Sequence, residues 1–249
     1  MKVYEVLEAV EKTAPLSLAE DWDNCGLIIG DGGCEVTRIL VALDVTRDVI
    51  EFAVRNSCEL IVSHHPVIFN GIKNVPSSSS VYAAVKAGIC VIAAHTCFDC
   101  APGGVSCTLA EKIGLTDIYQ AQSNRFLFLG DCDYADTKTL VKNVSDKLRS
   151  PVSYADSGGP VKRVAVCGGA GGEFVALAHT LGADAYVTGE ASYHDFTAAK
   201  ELGITLVTAG HFATEVIAVP VLAEKLSELI GTGAQVTVAP QSSPIEHYY

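Results

Sequence analysis

Two adjacent histidines, His64-His65, follow directly on the apolar run Leu60-Ile61-Val62-Ser63. Imidazole is the commonest nitrogen ligand for zinc and related ions, so a pair of them at a strand end is a candidate metal site. Three further apolar runs end in a similar way. Val91-Ile92-Ala93-Ala94 leads into His95 and, four residues later, Asp99. Tyr186-Val187-Thr188 leads into Gly189-Glu190, with His194 close behind, and Leu206-Val207-Thr208-Ala209-Gly210 leads into His211, with Glu215 four residues on. A single histidine after a strand is commonly a structural, hydrogen-bonded residue; three strand ends supplying histidine together point to ligands. Neighbours on an extended chain face opposite sides, so His64 and His65 either serve two adjacent ions or wrap one ion at a turn. His211 and Glu215 lie four apart at a helix start and can reach a single ion from one helix face. The carboxylates of Asp99 and Glu215 can bridge or complete such a site. Imidazole and carboxylate without thiolate suit zinc, manganese or iron(II) better than calcium.

Other residues carry weaker signals. Glu190 and His194 are also four apart, and together with His95 they are candidates for orienting ligands or moving protons. The plainer reading is a helix-capping Glu190 and a solvent-facing His194. His179, in a helix pattern, and His247, in the polar tail, have no expected role. Gly168-Gly169-Ala170-Gly171-Gly172 lies between a strand and a helix and is either an anion cradle or a plain tight turn; it lacks the Lys-Ser/Thr of a P-loop. Asp23-Asn24-Cys25-Gly26 reads as a turn beside Trp22, which can line a pocket. Most of the nine cysteines sit in apolar runs as small reduced core residues. Cys97-Phe98-Asp99-Cys100 is formally a C-x-x-C, open to redox work or to half a zinc site with Cys107 nearby.

For these side chains to converge, the apolar runs must lie in one kind of sheet. Short β-branched runs alternate with helical patterns for most of the length, the signature of β-α units and of an α/β fold. In a parallel sheet, ligands gather beyond the carboxyl ends of the strands, where these residues fall. Strands are expected near Arg38 to Asp44, Leu60 to Ser63, Cys90 to Ala94, Arg163 to Cys167, Ala185 to Thr188, Thr205 to Thr208 and Val236 to Val238. Helices are expected near Thr46 to Asn56, Ser79 to Ala87, Val105 to Ile113, Asp136 to Leu148, Glu173 to Leu181, Tyr193 to Leu202 and Thr214 to Ile230. Periodicity fades between Leu115 and Asn124, which predicts a division into residues 1–122 and 123–249, and Ser150 to Pro160 is expected to be a loop.

At 249 residues the chain can bury a core without disulfides or a structural metal. With 17 basic against 29 acidic residues it carries a formal charge of −12, which argues against a nucleic-acid surface and an anionic membrane face. Small molecules and protein partners fit better. The N-terminus is acidic and spaced like an amphipathic helix rather than a secretory signal, and no apolar run approaches ~18 residues, so a cytoplasmic protein is expected.

Taken together, Trp22-Asp23-Asn24-Cys25-Gly26-Leu27, Ala42-Leu43-Asp44-Val45-Thr46, Ser63-His64-His65-Pro66, His95-Thr96 through Asp99 to Pro102-Gly103-Gly104-Val105, Gly169 to Gly172, Thr188-Gly189-Glu190 and Gly210-His211 through Glu215 resemble the NIF three-like family. Its bacterial members are often labelled GTP cyclohydrolase I type 2 homologues. The resemblance implies two interlinked α/β domains with mixed, mostly parallel sheets and a metal site in the cleft between them. It implies two divalent ions per chain (zinc, iron or manganese) on His64, His65, Asp99, His211 and Glu215, with His95 and Glu190 close by. It also implies a toroidal homohexamer. Cys97, Cys100, Ser106 and Cys107 depart from the family's usual residues without replacing a ligand. The expected function is a metal-dependent hydrolase acting on a small molecule or nucleotide, with His95, Glu190 or His194 moving protons. The competing readings are a non-catalytic metal-binding or regulatory scaffold, and a redox module built on Cys97 and Cys100.

Overall fold

Runs such as Leu60–Ser63 and Cys90–Ala93 lack polar alternation, so as strands they must be covered on both faces. A computed structural model describes residues 1–246, which leaves His247 outside the described residues. The strands are, in chain order, β1 (Gly26–Ile29), β2 (Arg38–Ala42), β3 (Leu60–Ser63), β4 (Cys90–Ala93), β5 (Thr116–Gln120), β6 (Phe128–Tyr134), β7 (Ser153–Ala155), β8 (Val161–Ala170), β9 (Ala185–Glu190), β10 (Thr205–Thr208) and β11 (Gln235–Val238). The helices are α1 (Val3–Thr13), α2 (Arg47–Arg55), α3 (Ser80–Ala87), α4 (Thr96–Asp99), α5 (Val105–Lys112), α6 (Thr137–Leu148), α7 (Val175–Thr180), α8 (Tyr193–Leu202), α9 (His211–Glu215) and α10 (Val219–Ile230). No described helix is long and apolar enough to cross a membrane.

The chain forms two compact units. One comprises Met1–Ala101 together with the chain from Val219 onward, and the other comprises Pro102–Ala218. The first unit holds a five-stranded sheet in the order β1-β4-β3-β2-β11. Strands β11, β2, β3 and β4 are parallel, and β1 joins β4 antiparallel at the edge. Leu40, Ile61 and Val91 on one sheet face pack with Val49, Ile50 and Ala53 of α2 and Ala84 of α3. Helix α2 begins where the Thr46 hydroxyl accepts the Val49 N–H at 3.3 Å, satisfying one of the donors a helix start leaves open.

The second unit holds a six-stranded sheet in the order β5-β6-β8-β9-β10-β7. Its centre, β8-β9-β10, is parallel and its flanking pairings are antiparallel. Alternation along β8 sends Val164 and Val166 into a cluster with Leu109, Leu140 and Val144, while Ala165 and Cys167 face a second cluster with Val175, Tyr186 and Leu206. Both sheets are therefore mixed, with helices supplying the cover their apolar faces require.

Four strands lie where none is expected: β1, β5 in the stretch without periodicity, β6 just after it, and β7 within the expected loop. The expected break near residue 122 differs from the observed division, because β5 pairs with β6 and β11 returns to lie beside β2. The expected helix from Thr214 to Ile230 is interrupted: α9 ends at Glu215, a 3₁₀ turn spans Val216–Ala218, and α10 starts at Val219. Pro220 has no N–H to continue the helical ladder and is tolerated only in a first turn, so the helix restarts there.

Candidate metal centre

In the first unit, β3 and β4 run parallel with Ser63 opposite Ala93, which brings their carboxyl ends level. The ladder continues one step further, with His64 N–H on Ala42 O at 3.0 Å, His65 N–H on Leu43 O at 2.9 Å and Ala94 N–H on Ser63 O at 2.9 Å. His64, His65 and His95 therefore leave the sheet side by side. Their ring centroids lie 4.9 Å (His64–His65), 5.2 Å (His64–His95) and 5.5 Å (His65–His95) apart. One ring nitrogen from each lies within 4.8 Å of the others, a spacing that could hold an ion.

Each ring is fixed by an oxygen acceptor at Nδ1. His64 Nδ1 meets Ala94 O at 2.9 Å, His65 Nδ1 meets Asp44 Oδ1 at 2.7 Å, and His95 Nδ1 meets Asp23 Oδ1 at 2.9 Å. A carbonyl or carboxylate oxygen cannot donate, so Nδ1 carries the proton and the neutral ring presents its lone pair at Nε2. Asp99, at the end of α4, brings Oδ1 to 3.4 Å from His64 Nε2. That carboxylate oxygen is buried and accepts no hydrogen bond among the described residues. A buried carboxylate oxygen of this kind, among imidazole lone pairs, fits a cation.

In the second unit, β9 and β10 are parallel with Thr188 opposite Thr208, and Gly210 N–H donates to Gly189 O at 3.0 Å. Glu190 and the start of α9 are thereby placed together. His211 Nε2 lies 3.2 Å from Glu215 Oε1, and Nδ1 lies 3.4 Å from Glu190 Oε1. The four-residue spacing thus does put His211 and Glu215 on one helix face. The hydrogen bond to the buried Glu215 carboxylate outweighs the effect of burial and raises His211 to about 9, so the surroundings of this ring favour positive charge.

The sequence profile of the Duf34/NIF3 (NGG1p interacting factor 3) family matches residues 1–244. The chain belongs to this family. It is 29% identical to a Clostridium perfringens protein named GTP cyclohydrolase 1 type 2 homolog, over a 255-residue alignment that covers 97% of each chain. A solved Staphylococcus aureus hypothetical protein aligns with TM-score 0.91 and 26% identity, covering 100% of this chain and 99% of that one. A solved Bacillus cereus protein related to NIF3 shares the fold at TM-score 0.86 and 21% identity.

In this member of the Duf34/NIF3 family the glycine run straddles the end of β8, and two of its amides are not open to an anion. Thr214 Oγ1 accepts the Gly169 N–H at 3.1 Å and Thr188 Oγ1 accepts the Gly171 N–H at 3.1 Å, so those amides are already committed. The glycines allow close approach instead. A Cβ on Gly169, whose φ is +63°, would run into Glu215 Oε1 and lie 3.3 Å from His211 Nε2. His194 is exposed on the first turn of α8, its ring edge-on to Tyr193 with centroids 5.8 Å apart.

Two residues that fix the rings, Asp44 and Asp23, carry no role in a search for histidine at strand ends. Asp44 follows β2 as His65 follows β3, and would be found by extending the same rule to carboxylates. Asp23 precedes β1, but β1 is antiparallel, so its start lies at the carboxyl end of β4. Burial alone would raise the Asp23 carboxyl; hydrogen bonds from His95, Thr96 and Cys25 hold it well below the usual carboxylate range. A cavity of about 410 Å³ opens beside His65, lined by Asp44, Arg47, Pro66 and Ser79 among others. Replacing Asp44 by Asn removes the charge that fixes His65 and is expected to weaken metal binding about 10–100-fold, measured by competition with a chromophoric chelator. Unchanged affinity would mean that Asp44 does not orient a ligand.

Proposed function

We propose that this protein is a dinuclear metal-dependent hydrolase acting on a small molecule or nucleotide. The observation that carries the reading is the set of three imidazoles tied at Nδ1, with His64 Nε2 3.4 Å from a buried carboxylate oxygen of Asp99. In this reading His64, His65 and Asp99 from the first unit, and His211 and Glu215 from the second, hold two divalent ions of zinc, iron(II) or manganese. Bound there, such ions supply Lewis acidity for hydrolysis at an electrophilic carbon or phosphorus.

The chain's own groups do the rest. Asp44 and Asp23 set the tautomers of His65 and His95. In this reading His95 and Glu190 carry protons to and from the substrate, and the exposed His194 is the weakest of the three candidates for that task. The cavity beside His65 gives a small ligand room. The name of the Clostridium perfringens relative extends the reading to a purine nucleotide whose ring is opened by water.

The test is a screen of metal-loaded protein on nucleotides, phosphoesters and cyclic amides. Turnover should disappear on chelation and fall at least about 100-fold in Glu215→Ala. Turnover that persists unchanged in that variant would come from a contaminant, and metal-loaded protein without turnover on any class would favour a scaffold over an enzyme.

A further inference from the structure

The C-x-x-C spacing of Cys97 and Cys100 draws attention to that pair, but the Cys97 sulfur faces a residue much earlier in the chain. Cys25 Sγ lies 3.7 Å from Cys97 Sγ. Cys100 turns elsewhere, its thiol 3.1 Å from Thr96 O and 3.6 Å from Leu18 O. The approach of Cys25 follows from the fold: Gly26 pairs with Ala93 across the antiparallel β1–β4 edge, which sets Cys25 beside the turn into α4. Cys25 is only half-buried, whereas Cys97 is fully buried.

We propose that Cys25 and Cys97 form a redox-active dithiol that a hydroperoxide closes to a disulfide. The Cys25 sulfur attacks the peroxide, taking one oxygen to become a sulfenic acid and releasing the other as water or an alcohol. The Cys97 sulfur then attacks the Cys25 sulfur, forming the S–S bond as the S–O bond breaks and a second water leaves. Two thiols lose two electrons and two protons, and the peroxide is reduced. Cys25 is the point of entry because it is the more accessible of the two, and Cys97 resolves the sulfenic acid from 3.7 Å away.

Closure brings the sulfurs to about 2.05 Å, so either the Asp23–Cys25 turn or the first turn of α4 must shift. Both belong to one hydrogen-bonded knot. Asp23 accepts from Thr96 N–H at 3.0 Å and from His95 Nδ1 at 2.9 Å, and His95 N–H reaches Cys25 Sγ at 3.4 Å. The shift therefore passes to His95 and to Trp22, whose ring lies 6.4 Å from it. Trp22 is the only tryptophan, so its fluorescence reports the change without any metal or substrate.

The experiment treats the full chain with hydrogen peroxide, in chelator to exclude metal-driven oxidation, followed by alkylation and non-reducing peptide mapping. The expected result is a cross-linked peptide pair joining Cys25 to Cys97, a change in Trp22 emission, and reversal of both by dithiothreitol. Cys100→Ser should retain the cross-link, and Cys25→Ser should lose it. A cross-link joining Cys97 to Cys100 instead, or oxidation of Cys25 to the sulfinic acid with no cross-link, would overturn the proposal. Because the mapping is read on the parent chain, it stands even if a variant folds poorly.

Discussion

A chain carrying both His64→Ala and His211→Ala should bind less than one divalent ion per protomer, where the parent is expected to bind about two. The pair removes one imidazole from each half of the ligand set. His64 is almost fully buried, with Nδ1 spent on Ala94 O and Nε2 beside Asp99. Its loss leaves Asp99 without its imidazole neighbour. His211 lies between Glu215 and Glu190, and its loss leaves two carboxylates facing each other. Elemental analysis of the purified protein reads the result directly. Truncating a buried ring also opens a cavity, so His64→Gln/His211→Gln, which keeps most of the volume, separates lost ligands from a lost fold. Two ions retained in both variants would remove these histidines from the site.

Gly189→Ala is expected to lower stability by more than any change at a glycine with open space around it. A Cβ there would lie 2.5 Å from Gly169 O, 2.7 Å from Thr214 Oγ1 and 2.9 Å from His211 Cα. Two of these are backbone atoms, one near the end of β8 and one at the start of α9, and neither can step aside without moving its element. Overpacking of this kind costs about 1–3 kcal/mol or more. In a chain of this size that lowers Tm by roughly 2–10 °C. Gly182→Ala is the control: its φ is +80° but nothing lies within 4 Å of the added Cβ, so only the left-handed strain of about 1 kcal/mol applies. The Gly189 variant should also bind metal more weakly, because the displaced atoms carry His211. Equal melting temperatures for the two variants would show that the close approach is not as tight as described.

The candidate ligands were more legible in the sequence than the residues that orient them. Histidine at the end of an apolar run is a local pattern, and β3, β4, β9 and β10 each deliver their site residues where that pattern puts them. The four-residue step from His211 to Glu215 is likewise local, since helix geometry alone brings the two side chains together. Asp23 and His95 are 72 residues apart, and Asp44 and His65 are 21 apart. Those pairings depend on which strands become neighbours, and no periodicity encodes that. The return of β11 to β2 was hidden for the same reason, since Gln235–Val238 reads as a strand with any partner. Strand β5 was missed because it pairs through an irregular register and is largely exposed, so its side chains carry no apolar alternation. The Cys25–Cys97 approach combines both difficulties, an antiparallel edge strand and a long sequence separation.

The most direct measurement is an anomalous difference map from crystals of the parent protein grown or soaked with zinc or manganese. Two adjacent peaks, contacted by His64 Nε2, His65 Nε2, Asp99, His211 and Glu215, are the expected result. A single peak, or peaks that leave out either His64 and His65 or His211 and Glu215, would contradict a dinuclear centre held by these five residues.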